Sequence, residues 1–256
     1  MLNCKTVFIT GAGSGIGAAT ARYFSDHGWF VGLYDLNLES VRTLSSDLGG
    51  NTCFAQLDVT VPDSVAAAFT HFAELTGGRL DVMVNNAGLF QDKPFVEADL
   101  EFLHLMMRVN MEGVVNCAQA AYPLLKTTSD SHLVNLGSGS SIYGIPSNAV
   151  YSSSKSFVQG LTEALRVEWE KDDITVNVVM PLYVATPMTE GVKLTHSKGS
   201  KMLTAEDIAA AVYEAGTTKG MYWVMPFKAR LLFTLLRKMP SIWLHGFAKI
   251  YLSGKR

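Results

Sequence analysis

Short runs of β-branched and aromatic residues alternate along this chain with longer stretches whose apolar positions recur at helical spacing. The runs at 5–10 (KTVFIT), 29–34 (WFVGLY), 52–57 (TCFAQL), 80–84 (LDVMV), 132–136 (HLVNL), 174–179 (ITVNVV) and 220–224 (GMYWV) predict seven strands. Helical patterns occupy about 16–27, 38–48, 62–75, 99–125, 150–170 and 204–216. Pro62 before Asp63 suits a helix start, and Thr204 with Asp207 three residues on is a capping-box pattern. Strand and helix in alternation predict an α/β fold: one doubly wound, Rossmann-like domain over 1–225, with a seven-stranded parallel sheet and helices on both faces. The stretch 181–203 has no clear period and reads as a functional loop.

Beyond the last strand the pattern changes. Residues 226–256 hold seven Lys/Arg and no Asp/Glu among Leu, Phe, Trp and Ile, and ARLLFTLLRKM predicts a helix stopped by Pro240, with a second short helix after it. This basic amphipathic extension admits two readings: a helical pair packed on the domain or a partner subunit, which is favoured, or a peripheral anchor on an anionic membrane with Trp243 and Tyr251 at headgroup level. No run reaches the roughly 18 apolar residues of a spanning helix. The asymmetry is hidden in the net charge of −2, because residues 1–225 carry 14 cations against 23 acids.

Composition narrows the class. With 48% hydrophobic and 17% charged residues in a chain of 256, a large packed core is expected and disorder is not. Cys4, Cys53 and Cys117 form no CxxC pair, so no disulfide framework or metal site is expected, and a reducing cytoplasm is. KTVFIT runs straight into glycines and reads as a first strand, not a signal-peptide core. Nothing points to nucleic acid.

Chemistry enters at the strand ends. Thr10–Gly17 reads TGAGSGIG between a strand and a helix, and a glycine turn at a helix N-terminus suits a pyrophosphate. Its spacing is GxxxGxG, with Ile16 where the strict dinucleotide fingerprint has its last glycine, so alone it is no better than a tight turn. Asp35 ends the second strand 18 residues past Gly17, where a carboxylate would accept from an adenosine ribose and repel the extra phosphate of NADP. Neither 12–14 nor 36–38 holds an Arg or Lys, so NAD is expected over NADP. Asp58–Val59 and Asn85-Asn86-Ala87-Gly88 sit on the same sheet edge, though each alone reads as turn chemistry.

Ser138 lies just past the fifth strand, and Tyr151 opens the next helix with Lys155 at i+4, on the same face. A phenol titrates near 10, and a neighbouring ammonium brings it toward working range as a proton donor or acceptor. The serines between them, Ser152 to Ser154, read as helix-start filler. Without the glycine turn the cluster would be a decorated helix start; with it, a hydride-transfer site is favoured.

In these pieces, together with Val109-Asn110, the chain resembles the short-chain dehydrogenase/reductase family, in its single-domain branch, from about residue 5 to 225. The resemblance implies an NAD-dependent oxidoreductase that interconverts a secondary alcohol and a ketone. Tyr151 would be the general acid/base, Lys155 would bind the nicotinamide ribose and lower the Tyr151 pKa, Ser138 would orient the substrate oxygen, and Asn110 would hold a water relaying protons to Lys155. Residues 11–17, Gly13, Ser14 and Gly15 among them, would line the pyrophosphate. Asp35 would hold the adenosine ribose, Asp58 and Val59 the adenine, and Asn86 the far ribose. Thr10, Ala87, Gly88 and Pro181 count with the cofactor site, and Val184 and Thr186 with the nicotinamide carboxamide. Leu182 stands where the family has glycine and predicts a more apolar pocket, built from 89–97, 139–146 and 182–203 with Leu89, Phe90, Ile142, Tyr143, Ile145 and Tyr183. The resemblance also implies a homodimer or homotetramer. The competing readings are a catalytically silent NAD-binding sensor or scaffold, whose usual mark would be loss of Tyr151 or Lys155, and a membrane-surface lipid-pathway reductase.

Overall fold

A computed structural model describes residues 4–189 and 202–251. The seven strands β1 (Thr6–Thr10), β2 (Phe30–Asp35), β3 (Thr52–Gln56), β4 (Val82–Asn85), β5 (Ser131–Leu136), β6 (Ile174–Pro181) and β7 (Tyr222–Met225) form one parallel sheet in the order β3-β2-β1-β4-β5-β6-β7. Every residue of β1, β4, β5 and β6 is buried. That is why these strands read as continuous apolar runs and not as alternating ones: helices cover both sides of the sheet.

The period-2 geometry of a strand then sorts its side chains between two cores. Val7, Ile9, Val31, Leu33, Val82 and Val84 pack on one face against α1 (Gly15–Asp26), α2 (Leu38–Leu48) and α7 (Ala205–Thr217). Phe8, Tyr34, Met83 and Leu133 pack on the other face against α3 (Pro62–Thr76) and α5 (Gly113–Thr127). There Phe8 stacks on Tyr34 at 4.0 Å and on Phe69 at 4.3 Å between ring centroids. Two expected caps are present: Pro62 occupies the first turn of α3, and Thr204 and Asp207 form the capping box of α7.

The helix expected over 99–125 is interrupted. α4 (Leu100–Met107) and α5 are joined by a π turn over Arg108–Glu112 that contains the fully buried Asn110. One wide turn rotates the helix faces around it, and such insertions gather at functional sites. α6 (Ala149–Glu168) is itself unbroken and follows β5 after a short 3₁₀ turn at Gly139–Ser141 and a loop. In the 181–203 loop, Val184 bridges to Leu203 and a short 3₁₀ turn covers Pro187–Thr189; residues 190–201 lie outside the described residues.

The extension does form two helices, α8 (Ala229–Arg237) and α9 (Ser241–Tyr251). Phe233 of α8 enters a third apolar cluster with Val178, Met180 and Val224 at the β6–β7 edge. Arg237 lies 4.5 Å from the Tyr222 ring centroid and pairs with Glu163 of α6 at 3.1 Å. No described helix is long and apolar enough to cross a membrane.

Candidate active site

The strand order reverses between β1 and β4: the chain winds outward from β1 through β2 to β3, then returns to lay β4 on the other side of β1. In open α/β sheets the crevice at that switch point, beyond the carboxyl ends of the strands, is where ligands bind. Here the two strand ends are stapled together. Thr10 Oγ1 accepts from the backbone N–H groups of Asn86 and Ala87 at 3.0 and 3.1 Å, and Asn86 Nδ2 donates to the Thr10 and Gly11 carbonyls, both at 2.9 Å. Gly11 adopts φ +64°, a conformation that side chains disfavour, and a Cβ on Gly17 would lie 2.0 Å from the Gly11 carbonyl oxygen. The glycines therefore let the turn fold onto the first turn of α1.

That helix start has donors to spare. Ser14 occupies the N-cap position but makes no side-chain capping bond, and the first turn of α1 contains no acid. Its leading N–H groups have no intrahelical acceptor, a donor set that suits an anionic diphosphate. Ile16 packs against the apolar core behind the turn. Thr186 closes over the same place, since a Cβ on Gly15 would lie 3.6 Å from its side chain. Asp35 stands at the rim: Oδ2 accepts from Gly13 N at 2.9 Å and Oδ1 from Asn37 N at 2.9 Å. Each oxygen keeps a lone pair for a hydroxyl donor. Asp58 Oδ1 accepts from the N–H and hydroxyl of Thr60, at 2.9 and 2.7 Å, while Val59 is buried against Gly113 at the start of α5.

The second half of the site surrounds Tyr151, whose ring meets Phe90 edge-on, with centroids 4.9 Å apart and planes at 88°. Lys155, one turn along α6, is buried; its Nζ donates to the Leu136 carbonyl at the end of β5, at 2.7 Å, and lies 5.7 Å from the Tyr151 ring centroid. Burial raises the Tyr151 phenol above its ordinary value, with a hydrogen bond from Ser138 opposing it, and burial pushes the Lys155 ammonium down to about 8. Ser138 Oγ accepts from Ser140 N at 3.2 Å, which leaves its proton to donate. The i, i+4 spacing thus brings phenol and ammonium onto one face, and the end of β5 brings Ser138 to them.

Asn110 is held more tightly than the sequence implied. Its Oδ1 accepts from Leu89 N at 2.7 Å, and its Nδ2 donates to Leu89 O at 2.9 Å and to Ser154 Oγ at 3.1 Å. A Cβ on Gly88 would lie 3.3 Å from Asn110 Oδ1 and 3.8 Å from Lys155 Nζ, so the two side chains converge beside that glycine without touching directly. Two of the three serines are not filler. Ser154 is fully buried, bridging Asn110 to the Tyr151 carbonyl (2.7 Å), and the buried Ser152 accepts from Ile145 N at 3.1 Å. Only Ser153 is exposed. A side chain-to-backbone bond across a π turn leaves no spacing signal in the sequence, which is why this scaffold escaped it.

Tyr151 and Ser138 lie in the wall of a cavity of about 240 Å³. Phe90, Ile142, Tyr143, Ile145, Leu182 and Tyr183 line it as expected, Val184 joins them, and Leu89 spends its backbone on Asn110 and is absent from the wall. The extension contributes too: Ala229, Leu232, Phe233, Leu236 and Leu244 close one side, and Tyr143 hydrogen-bonds His245 at 2.5 Å. None of the described lining residues is charged. Leu182 continues the backbone of β6 by donating to Met225 O at 3.0 Å, and its side chain lies over Gly139, where a Cβ would come within 2.2 Å of it. Bulk lost at Gly139 is regained at Leu182. Pro181 is the buried last residue of β6.

Comparison with known proteins agrees with this architecture. The short chain dehydrogenase family matches residues 5–197. An uncharacterized oxidoreductase of Staphylococcus epidermidis is 33% identical over 217 residues, 83% of this chain and 91% of that one. A 3-oxoacyl-[acyl-carrier-protein] reductase of Thermotoga maritima is 35% identical over 192 residues, 74% and 78% of the two chains. The crystal structure of a 3-ketoacyl-(acyl-carrier-protein) reductase from Brucella melitensis complexed with NADH superposes with a TM-score of 0.80 at 25% identity, covering 86% of this chain and 96% of that one. With the sheet order, the glycine turn at the switch point and the Tyr151–Lys155 pair in hand, these matches establish that the chain belongs to the short chain dehydrogenase family.

Proposed function

We propose that the protein interconverts a secondary alcohol and a ketone with NAD(H), and that its substrate is largely apolar. The observation that carries this reading is the phenol of Tyr151 in the wall of a cavity whose described lining is uncharged, with Ser138 beside it and Lys155 behind it, at the carboxyl edge that holds the glycine turn. The nicotinamide, when bound, accepts or supplies the hydride. The NADH complex of the Brucella protein and the ketoacyl reductase activity named for two relatives support the same chemistry.

The chain's own groups handle the proton. In oxidation the Tyr151 oxygen takes the proton of the alcohol hydroxyl; in reduction it returns one to the carbonyl oxygen. Ser138 donates a hydrogen bond to that oxygen as charge develops. Lys155 stabilises the phenolate from one helical turn away, anchored by the Leu136 carbonyl so that it cannot swing out. Asn110 and Ser154 fix the π turn and the start of α6 against each other, which holds the phenol in place.

A pH profile follows from the directions of these shifts. Oxidation requires the pair with one proton lost, phenolate beside ammonium, and rises with pH; reduction requires the fully protonated pair and falls through the same apparent value, which belongs to Tyr151 and Lys155 together. Because the Ser138 hydrogen bond lowers the phenol, Ser138→Ala should move the rising limb of oxidation to higher pH and reduce kcat by about 10²-fold. A rate–pH series on both proteins measures this; a limb that stays in place, or moves down, removes Ser138 from the assigned role.

The Leu182–Gly139 contact gives a second expectation. Leu182→Ala keeps the backbone bond to Met225 and empties space in the cavity, so the preference for bulky over small ketones, as a ratio of kcat/KM, should rise by about tenfold. An unchanged ratio would show that Leu182 does not shape the substrate end.

A further inference from the structure

α8 and α9 have two apolar sides, and only one is spent on the fold. Phe233, Leu236 and Leu244 turn inward to the cavity. The outer side exposes Leu231 (70%), Leu235 (56%), Ile242 (76%) and Trp243 (70%), with Phe227 just ahead of α8 at 72%. Scattered surface leucines are ordinary, but this many large apolar side chains on about twenty consecutive residues form a patch that calls for a partner.

The charge on the same segment says which. Lys228, Arg230 and Lys238 are exposed, Arg237 turns back to Glu163 and the Tyr222 ring, and residues 226–256 contain no acid at all. A helix pair with outward Leu, Ile and Trp among cations alone matches the interfacial region of a bilayer containing anionic lipid, where the apolar side chains sink to the acyl boundary and the cations meet headgroup phosphates. A second copy of this chain would place like charges against one another. Leu232 ties the surface to the site, because it lines the cavity and is also 48% exposed. The mouth of the pocket therefore adjoins the apolar patch.

We propose that the outer face of α8 and α9 docks on the surface of an anionic membrane and turns the cavity mouth toward the lipid, so that an apolar substrate enters from the bilayer. Neither helix crosses it. Trp243 is the natural reporter, since Trp29 and Trp169 are buried and Trp223 is half-buried against the core; of Tyr251 only the backbone is described.

The test uses the full-length protein, vesicles of phosphatidylcholine alone, and vesicles of phosphatidylcholine with phosphatidylglycerol. Co-sedimentation should occur with the anionic vesicles, weaken as salt is raised, and be accompanied by a blue shift of tryptophan emission. Replacing Lys228, Arg230 and Lys238 with Gln should weaken binding by roughly fivefold per cation removed. The double variant Leu231→Glu/Leu235→Glu, at exposed positions outside the cavity wall, should lose at least about tenfold of its vesicle binding while keeping its circular dichroism and its turnover of a water-soluble ketone. Three results would overturn the proposal: no binding to anionic vesicles at low salt, equal binding by the double variant, or a self-association of the wild-type chain that the double variant abolishes without any vesicle binding by either.

Discussion

Tyr151→Phe is expected to lower kcat/KM by about 10³-fold in both directions while leaving the dissociation constant for NADH within a few-fold of wild type. The expectation rests on how little the change disturbs. The ring keeps its edge-on contact with Phe90 and its place in the cavity wall, and α6 keeps the Ser154 and Ser152 bonds that hold its first turn. Only the hydroxyl goes, leaving the substrate oxygen no group of suitable acidity with which to exchange its proton, since Ser138 can donate a hydrogen bond but titrates far outside the working range. Steady-state kinetics with a fluorescence titration of NADH separate the two quantities. Turnover within tenfold of wild type would remove Tyr151 from the proton step; a collapse of NADH affinity would mean that the hydroxyl serves binding instead.

The second large effect concerns the cofactor. NAD should be preferred to NADP by about 10²-fold in kcat/KM, because the Asp35 carboxylate stands fixed by two backbone N–H groups at the rim of the glycine turn. A phosphate brought there meets a like charge, and the nearest cation on α2, Arg42, is paired with Glu39 at 3.0 Å. Asp35→Asn keeps the shape and an oxygen for the Gly13 N–H but removes the charge, so the preference should fall by about tenfold without reversing, as no free cation is introduced. A wild-type preference for NADP, or a ratio unmoved by Asp35→Asn, would show that this carboxylate does not select the cofactor.

Tyr151, Lys155, Ser138 and the glycine turn were legible because their chemistry depends on fixed short spacings and on lying at strand ends, and strand ends follow from the alternation of apolar runs. The sheet and its helices were legible for the same reason, to within a residue or two at most boundaries. The break in the helix at Arg108–Glu112 was not, since a π turn forms wherever tertiary bonds reward it, here those of Asn110 to Leu89 and Ser154. Ser152 and Ser154 were misjudged on similar grounds: their partners, Ile145 and Asn110, are set by the folding of the loop and of the π turn.

The extension carried the least local information about its place. Its amphipathic pattern predicted helices, but which apolar side would face the domain depended on the exposed edge of β7 and on the loops above Tyr151. The structure assigns Phe233, Leu236 and Leu244 to the cavity, so the basic extension packs on its own domain and forms one wall of that cavity. Removing it would open the pocket to water, which is why point substitutions on its outer face test membrane docking more cleanly than truncation.

If the reading is right, hydride passes to a carbonyl carbon while Tyr151 supplies the proton. NADH carrying deuterium on the transferring face of the nicotinamide, incubated with the protein and a panel of apolar ketones, tests it most directly, with the alcohols read by mass spectrometry. One deuterium is expected on the carbinol carbon of at least one product, formed by the wild-type protein and reduced by about 10³-fold in Tyr151→Phe. NADH bound by a folded protein with no deuterium delivered to any ketone, or equal delivery by both proteins, would contradict that reading.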